Sequence, residues 1–142
     1  MTDADVQRLQ EIRAALPNED CDGCDGCGTK CAGEIPMTRW EFAEVRAYLA
    51  AHPLAQEATE SPGTACVFDP PCRFRDDARG RCRIYPVRPL ICRLFGLVEW
   101  LPCPLHRWGV RVPEGWAIIA WYSSLERRPY HAWLAERENA ER

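Results

Sequence analysis

No apolar run in this 142-residue chain approaches the ~20 residues that cross a bilayer; the longest, Gly115 to Tyr122, argues against a membrane span. The opening MTDADVQRLQEIRAAL lacks the basic flank, apolar stretch and small-residue cleavage site of a signal peptide. The expected location is therefore cytoplasmic. Lys30 is the single lysine among 18 basic residues, and 21 acidic groups leave a net charge of -3, which disfavours a general polyanion binder. Phosphate loops of the G-x-G-x-x-G and G-x-x-x-x-G-K-[ST] types are missing. Ser123 and Ser124 fall inside a helical pattern, and His52 and His131 have no paired cysteine or carboxylate motif, so hydrolytic catalysis has no footing. There is no internal repeat and no low-complexity tract. The length and the 46% hydrophobic content fit one domain, 1–142, with a core of its own.

Cysteine, by contrast, is abundant, with nine residues in the chain. In a reducing compartment, an odd number concentrated in C-x-x-C pairs points to metal ligation before disulfides. Cys21, Cys24, Cys27 and Cys31 form C-x2-C-x2-C-x3-C, and Gly23, Gly26, Gly28 and Gly33 permit the positive φ of a loop wrapped around a metal. No apolar periodicity runs through residues 19–33, so only a ligand can organise them. Four thiolates suit zinc at ~2.3 Å. The same spacing is that of bacterial ferredoxins, which hold [4Fe-4S] clusters, although Ala32 stands where their run has proline and no second run follows.

The rest of the chain reads mainly as helix. Val6, Leu9, Ile12 and Leu16 have helical spacing, ended by Pro17-Asn18. Thr38 and Glu41 form a capping box ahead of Trp40, Phe42, Val45 and Leu49, and that helix stops near His52-Pro53. CVFDPPCRFRDDARGRCRIY predicts a hairpin or pair of loops around Asp76 to Gly80. Pro89 suits the first turn of a short helix through Cys92 to Gly96. Pro113 opens a helix through Trp116, Ile118, Ile119, Trp121 and Leu125, stopped by Pro129; Trp133 and Leu134 mark an amphipathic end. The tryptophans, Trp116 and Trp121 above all, are expected in the core.

CRIYPVRPLICRLF, from Cys82 to Phe95, resembles the C-x-I-Y-x-x-R-P-x-x-C-R-x-F segment of the YkgJ-like cysteine-cluster family, a CxxCxxCC domain described as chelating zinc or iron. The matching residues are Cys82, Ile84, Tyr85, Arg88, Pro89, Cys92, Arg93 and Phe95, with the N-terminal cysteines as the cluster, over about Cys21 to Cys103. Here Gly28-Thr29-Lys30 separates Cys27 from Cys31, where the family has adjacent cysteines. The family also places a cysteine shortly before the C-x-I-Y segment; Cys72 fits its spacing and Cys66 its local residues, and Cys72 is preferred. The resemblance then implies eight ligands: Cys21, Cys24, Cys27, Cys31, Cys72, Cys82, Cys92 and Cys103. They make two four-thiolate sites or one polynuclear cluster with spare thiols, and Cys66 is left over. Larger relatives include flagellin lysine N-methylases, which allows an enzymatic role, although no methyl-donor motif is readable.

Charge supports the same segment independently. Seven arginines from Arg73 to Arg93 face only Asp76 and Asp77 in a chain that is net negative. A four-thiolate zinc or oxidised [4Fe-4S] centre carries about -2, which guanidinium donors offset. Arg88 and Arg93 are the preferred cofactor-binding arginines, beside Pro89 and Cys92; Tyr85 is either a hydrogen-bond donor to the site or a half-buried anchor. Cys92 near a helix start gains from the amides there. Arginines beside aromatic residues also fit nucleic acid, but the acidic total and the lack of a finger-type C-x2-C...H-x3-H pattern count against it. His106, three residues beyond Cys103 at C-x2-H spacing, is a nitrogen ligand or a polar packing residue.

The expectation is thus a small, mainly α single domain with irregular loops, organised around a cysteine-ligated metal site. Its motif core spans 21–103 and its C-terminal helices 113–142. The metal is an iron-sulfur cluster, [4Fe-4S] preferred, or Zn2+, since thiolates select soft options. An iron-sulfur centre implies redox or electron-transfer work with a protein redox partner; a structural zinc module that fixes an interaction surface is the alternative.

Overall fold

A computed structural model describes residues 1–17, 31, 33–53, 71–76, 78–103 and 111–142. About half of these lie in five α-helices, in keeping with a mainly α chain: α1 (Asp3–Ala15), α2 (Arg39–Ala51), α3 (Leu90–Arg93), α4 (Gly115–Ser124) and α5 (Tyr130–Ala140). Among the described residues, four two-residue strands make two small antiparallel ladders. β1 (Pro36–Met37) pairs with β4 (Arg128–Pro129), and β2 (Arg75–Asp76) pairs with β3 (Arg81–Cys82).

Both long N-terminal helices begin on capping boxes. Thr2 and Asp5 exchange side-chain-to-backbone bonds at the start of α1, and Thr38 and Glu41 do the same for α2. Helical spacing then decides what each helix buries. Leu9 of α1 and Leu16 at its C-cap join Leu90, Leu94, Leu97, Val98, Val112 and Tyr122 in one apolar cluster. Phe42 and Val45 of α2 join Met37, Phe74, Ile84 and Trp133 in a second. Each fully buried side chain of this size contributes about 1.5–3 kcal/mol, so the two clusters are the main source of stability. α4 approaches the first cluster through Gly115, where an added Cβ would lie 2.4 Å from Val98 Cγ1.

Two expectations are corrected. Trp116 is 64% exposed and lies against the Trp100 ring, 5.3 Å between centroids; the residue that α4 buries is Tyr122, at 0%. Trp121 is partly buried against the first cluster, and Tyr122 takes the fully buried place because its hydroxyl finds a buried acceptor, described below. α4 also ends at Ser124 rather than running to Pro129. Leu125 is extended, and Arg128 and Pro129 instead form β4 against β1. Trp133 of α5 is buried as expected and donates from Nε1 to the Met37 carbonyl at 2.8 Å, tying α5 to that ladder.

Candidate metal centre

The site lies where the chain folds back on itself between Cys72 and Arg93. The Arg75 amide donates to the Cys72 carbonyl at 3.0 Å, closing a tight turn that leads into β2. Asp76 Oδ1 accepts from the Arg79 amide at 3.1 Å, and Gly80 takes φ +67°, so the chain reverses over these residues. β3 returns with Cys82 opposite Arg75, and the Arg83 amide donates to the Phe74 carbonyl at 2.9 Å. The hairpin thereby sets Cys72 and Cys82 side by side against the second apolar cluster.

Each of these sulfurs receives a backbone amide from two residues downstream: Phe74 N–H for Cys72 and Ile84 N–H for Cys82. An amide donor to sulfur favours the thiolate over the thiol. The last cysteine of the glycine-spaced run is joined to the same turn. Its carbonyl, on Cys31, accepts from the Cys72 amide and from Arg75 Nη1, both at 3.2 Å. Cys92 is the third residue of α3, and Leu90 of that turn and Leu94 at its C-cap belong to the first cluster. Cys72 and Cys82 thus lie against the second cluster, Cys31 is tied to their turn through its carbonyl, and Cys92 sits on the turn that begins at Leu90 of the first.

Their electrostatics are coupled. Burial pushes the Cys82 thiol up to about 12, and Cys72 and Cys31 add to the shift while the Ile84 amide and Arg88 oppose it. Burial drives Cys92 well above the ordinary value, followed by Cys82, Cys72 and Cys31, again with Arg88 opposing. Cys72 is raised by burial and by Glu34, against the Phe74 amide, Arg73 and Arg75. Partly buried thiols whose charges would repel one another are a poor arrangement for thiolates alone and a good one for thiolates around a cation. The donor set, all sulfur with amide and guanidinium support, fits zinc or iron. Among the described residues, no three Cys, His, Asp or Glu side chains converge to ligand distance. Cys21, Cys24 and Cys27, along with Cys66 and His106, lie outside the described residues.

The three flanking residues expected at the site form a connected unit. Arg88 is 8% exposed; its Nε donates to the Tyr85 carbonyl at 2.9 Å, and its guanidinium lies 3.7 Å from the centre of the Tyr85 ring. That places a cation against aromatic carbon, with influence on both Cys82 and Cys92. Arg93 donates from Nε to the Arg88 carbonyl at 2.9 Å and from Nη2 to the Pro86 carbonyl at 2.7 Å. Burial, with the nearby charges of Arg13 and Arg88, lowers it to about 10. Arg93 thus braces the loop that carries Arg88. Tyr85 is half-buried beneath it. Cys103 is buried just past the Val98–Leu101 bridge and is not among the groups acting most strongly on Cys82 or Cys92.

Sequence reasoning missed the backbone members of this site, the amides of Phe74 and Ile84 and the Cys31 carbonyl, because backbone groups leave no residue signature. It also read Glu41 as a helix cap alone, although Glu41 reaches the helix of Cys92.

A family model described as "CxxCxxCC: Putative zinc- or iron-chelating domain" matches residues 20–111. No curated protein and no solved structure matches the chain. The matched span covers well over half of the chain and contains all nine cysteines, the hairpin and α3. By that match the chain belongs to the CxxCxxCC family, whose domain is described as zinc- or iron-chelating.

Proposed function

We propose that the chain, a single metal-binding domain of 1–142, holds an iron-sulfur centre, [4Fe-4S] in type, and passes electrons to or from a protein partner. We assign it to the YkgJ-like branch of its family, on the resemblance of Cys82 to Phe95. The ligands are drawn from Cys21, Cys24, Cys27, Cys31, Cys72, Cys82 and Cys92, with Cys103 as the eighth thiol on sequence grounds. The carrying observation is the pair of hydrogen bonds from the Cys72 amide and Arg75 to the Cys31 carbonyl. Cys31 belongs to the glycine-spaced quartet, so its attachment to the hairpin supports a shared centre with more thiols than one zinc takes. When bound, such a cluster supplies a one-electron couple. Arg88 offsets the negative charge of the thiolates, Tyr85 supports Arg88 from below, and Arg93 fixes their loop. The two apolar clusters on either side limit water, which with the amide donors to sulfur tunes the potential.

A closed zinc site is the second reading, favoured by the paired amide donors at Cys72 and Cys82, which suit a structural tetrathiolate equally well. Anaerobic purification followed by visible absorption and iron, zinc and sulfide analysis separates the two. A brown protein containing iron and sulfide is expected. Colourless protein with stoichiometric zinc and no sulfide would overturn the iron-sulfur reading.

A further inference from the structure

Glu41 is 1% exposed, and four donors converge on its carboxylate: Thr38 N–H at 2.8 Å, Thr38 Oγ1 at 3.0 Å, Leu90 N–H at 2.7 Å and Tyr122 O–H at 2.8 Å. Three of these bonds fall on Oε2, and the Leu90 amide takes Oε1 alone. Only the Thr38 bonds belong to the capping box of α2. The other two reach α3 and α4, 49 and 81 residues along the chain.

The bond to Leu90 matters most for the metal centre. α3 is a single turn of four residues, entered from Pro89 with no side-chain cap of its own. A lone turn is not self-sustaining, and its first amide needs an acceptor. Glu41 Oε1 supplies that acceptor from a neighbouring helix and sets a negative charge against the turn's positive end. Cys92 lies two residues beyond Leu90 in the same turn. We infer that Glu41 is a positioning residue of the metal centre: through the Leu90 amide it holds the turn that presents Cys92, from a helix that bears no cysteine. The inference rests on Cys92 serving as a ligand, as proposed above.

The test compares Glu41→Gln and Glu41→Asp with Tyr122→Phe. The glutamine brings an N–H2 group among the four donors, and the aspartate draws the carboxylate back from Leu90. Tyr122→Phe removes one donor from the same carboxylate and leaves the Leu90 bond in place. In metal-free protein, alkylation rates of Cys72, Cys82 and Cys92 are followed by mass spectrometry. Either Glu41 variant is expected to raise the Cys92 rate about tenfold relative to the other two thiols by loosening one local turn, while Tyr122→Phe leaves the ratio within about twofold. Equal acceleration of all three thiols, no acceleration, or the same ratio in Tyr122→Phe would overturn the inference. Cobalt(II) titration of the same proteins reads the metal side. The thiolate-to-cobalt band of the wild type is expected to weaken in the Glu41 variants and to persist in Tyr122→Phe. If the wild type shows no such band, or Cys92→Ser leaves it unchanged, Cys92 is not a ligand and the metal role of Glu41 falls, while the labelling ratio still reports whether Glu41 holds the turn.

Discussion

The Tyr122 hydroxyl donates to Glu41 Oε2 at 2.8 Å, joining α4 to α2 at the boundary between the two apolar clusters. Tyr122 belongs to the first cluster; Glu41 is followed on α2 by Phe42 of the second. Burial, then the charge and hydrogen bond of Glu41, hold the tyrosine proton far above its usual range, so the hydroxyl remains a donor as pH rises. Tyr122→Phe keeps the ring and deletes the donor, leaving Glu41 one partner short. The expected loss is about 1–3 kcal/mol, the range for a buried hydrogen bond to a charged group. In urea denaturation the midpoint should fall with the slope unchanged.

Local devices were the most legible part of the sequence. Thr38 and Glu41 marked the start of α2, Asp76 to Gly80 marked the hairpin turn, and Leu9 with Leu16 marked the buried stripe of α1, because capping, turn chemistry and periodicity act over a few residues. The boundary between the clusters was not legible. Nothing near Glu41 announces that Leu90 and Tyr122 will donate to it, since those partners are set by how helices pack. Trp116 failed for the same reason: a helix hydrophobic on several faces does not declare which face is covered. The metal residues fall between these cases. Spacing and the family resemblance singled out Cys72, Cys82 and Cys92, but their juxtaposition with Cys31 depends on backbone bonds that carry no residue identity.

The raised thiols make the metal-free protein sensitive to alkali. Cys82 stands at about 12 when folded against an ordinary value of 9.0. Below pH 9 folded and unfolded chains both keep the proton, and the full stability is present. As pH rises from 9 towards 12 the unfolded chain loses it first, so stability drains away, by on the order of 4 kcal/mol at most for this one group. Metal reverses the dependence, because ligation requires thiolates and releases their protons. Thermal melts across this window should show the melting temperature of metal-free protein falling and that of metal-loaded protein holding. Zinc addition to weakly buffered protein should acidify the solution.

Cys72 and Cys66 compete for one place in the ligand set, and the contacts of Cys72 favour it. Its amide binds the Cys31 carbonyl, its sulfur takes the Phe74 amide, and it acts on both Cys82 and Cys92. Cys72→Ser should lower metal content per chain substantially, in common with Cys82→Ser and Cys92→Ser, because losing a thiolate removes a ligand that serine replaces poorly at a soft metal. Cys66→Ser should leave the content intact. Metal analysis of the four proteins after anaerobic purification decides the matter, and a fall for Cys66→Ser without one for Cys72→Ser would exchange their roles.

Arg88 should set the pH at which metal enters. Its guanidinium opposes the upward shift of both Cys82 and Cys92, and it is held beneath the surface by Tyr85. Arg88→Met keeps much of the apolar stem and removes the charge, so both thiols rise further and fewer thiolates exist at neutral pH. The midpoint of cobalt(II) or zinc uptake should therefore move to higher pH, and affinity at pH 7 should fall by about tenfold for each unit of that movement. Arg88→Lys retains the charge but loses the planar stack on Tyr85 and the fork of donors. It should restore part of the pH midpoint and little of the stability. If Arg88→Met leaves the uptake midpoint unmoved while lowering the melting temperature, Arg88 serves the loop alone and the thiolates are balanced by another charge.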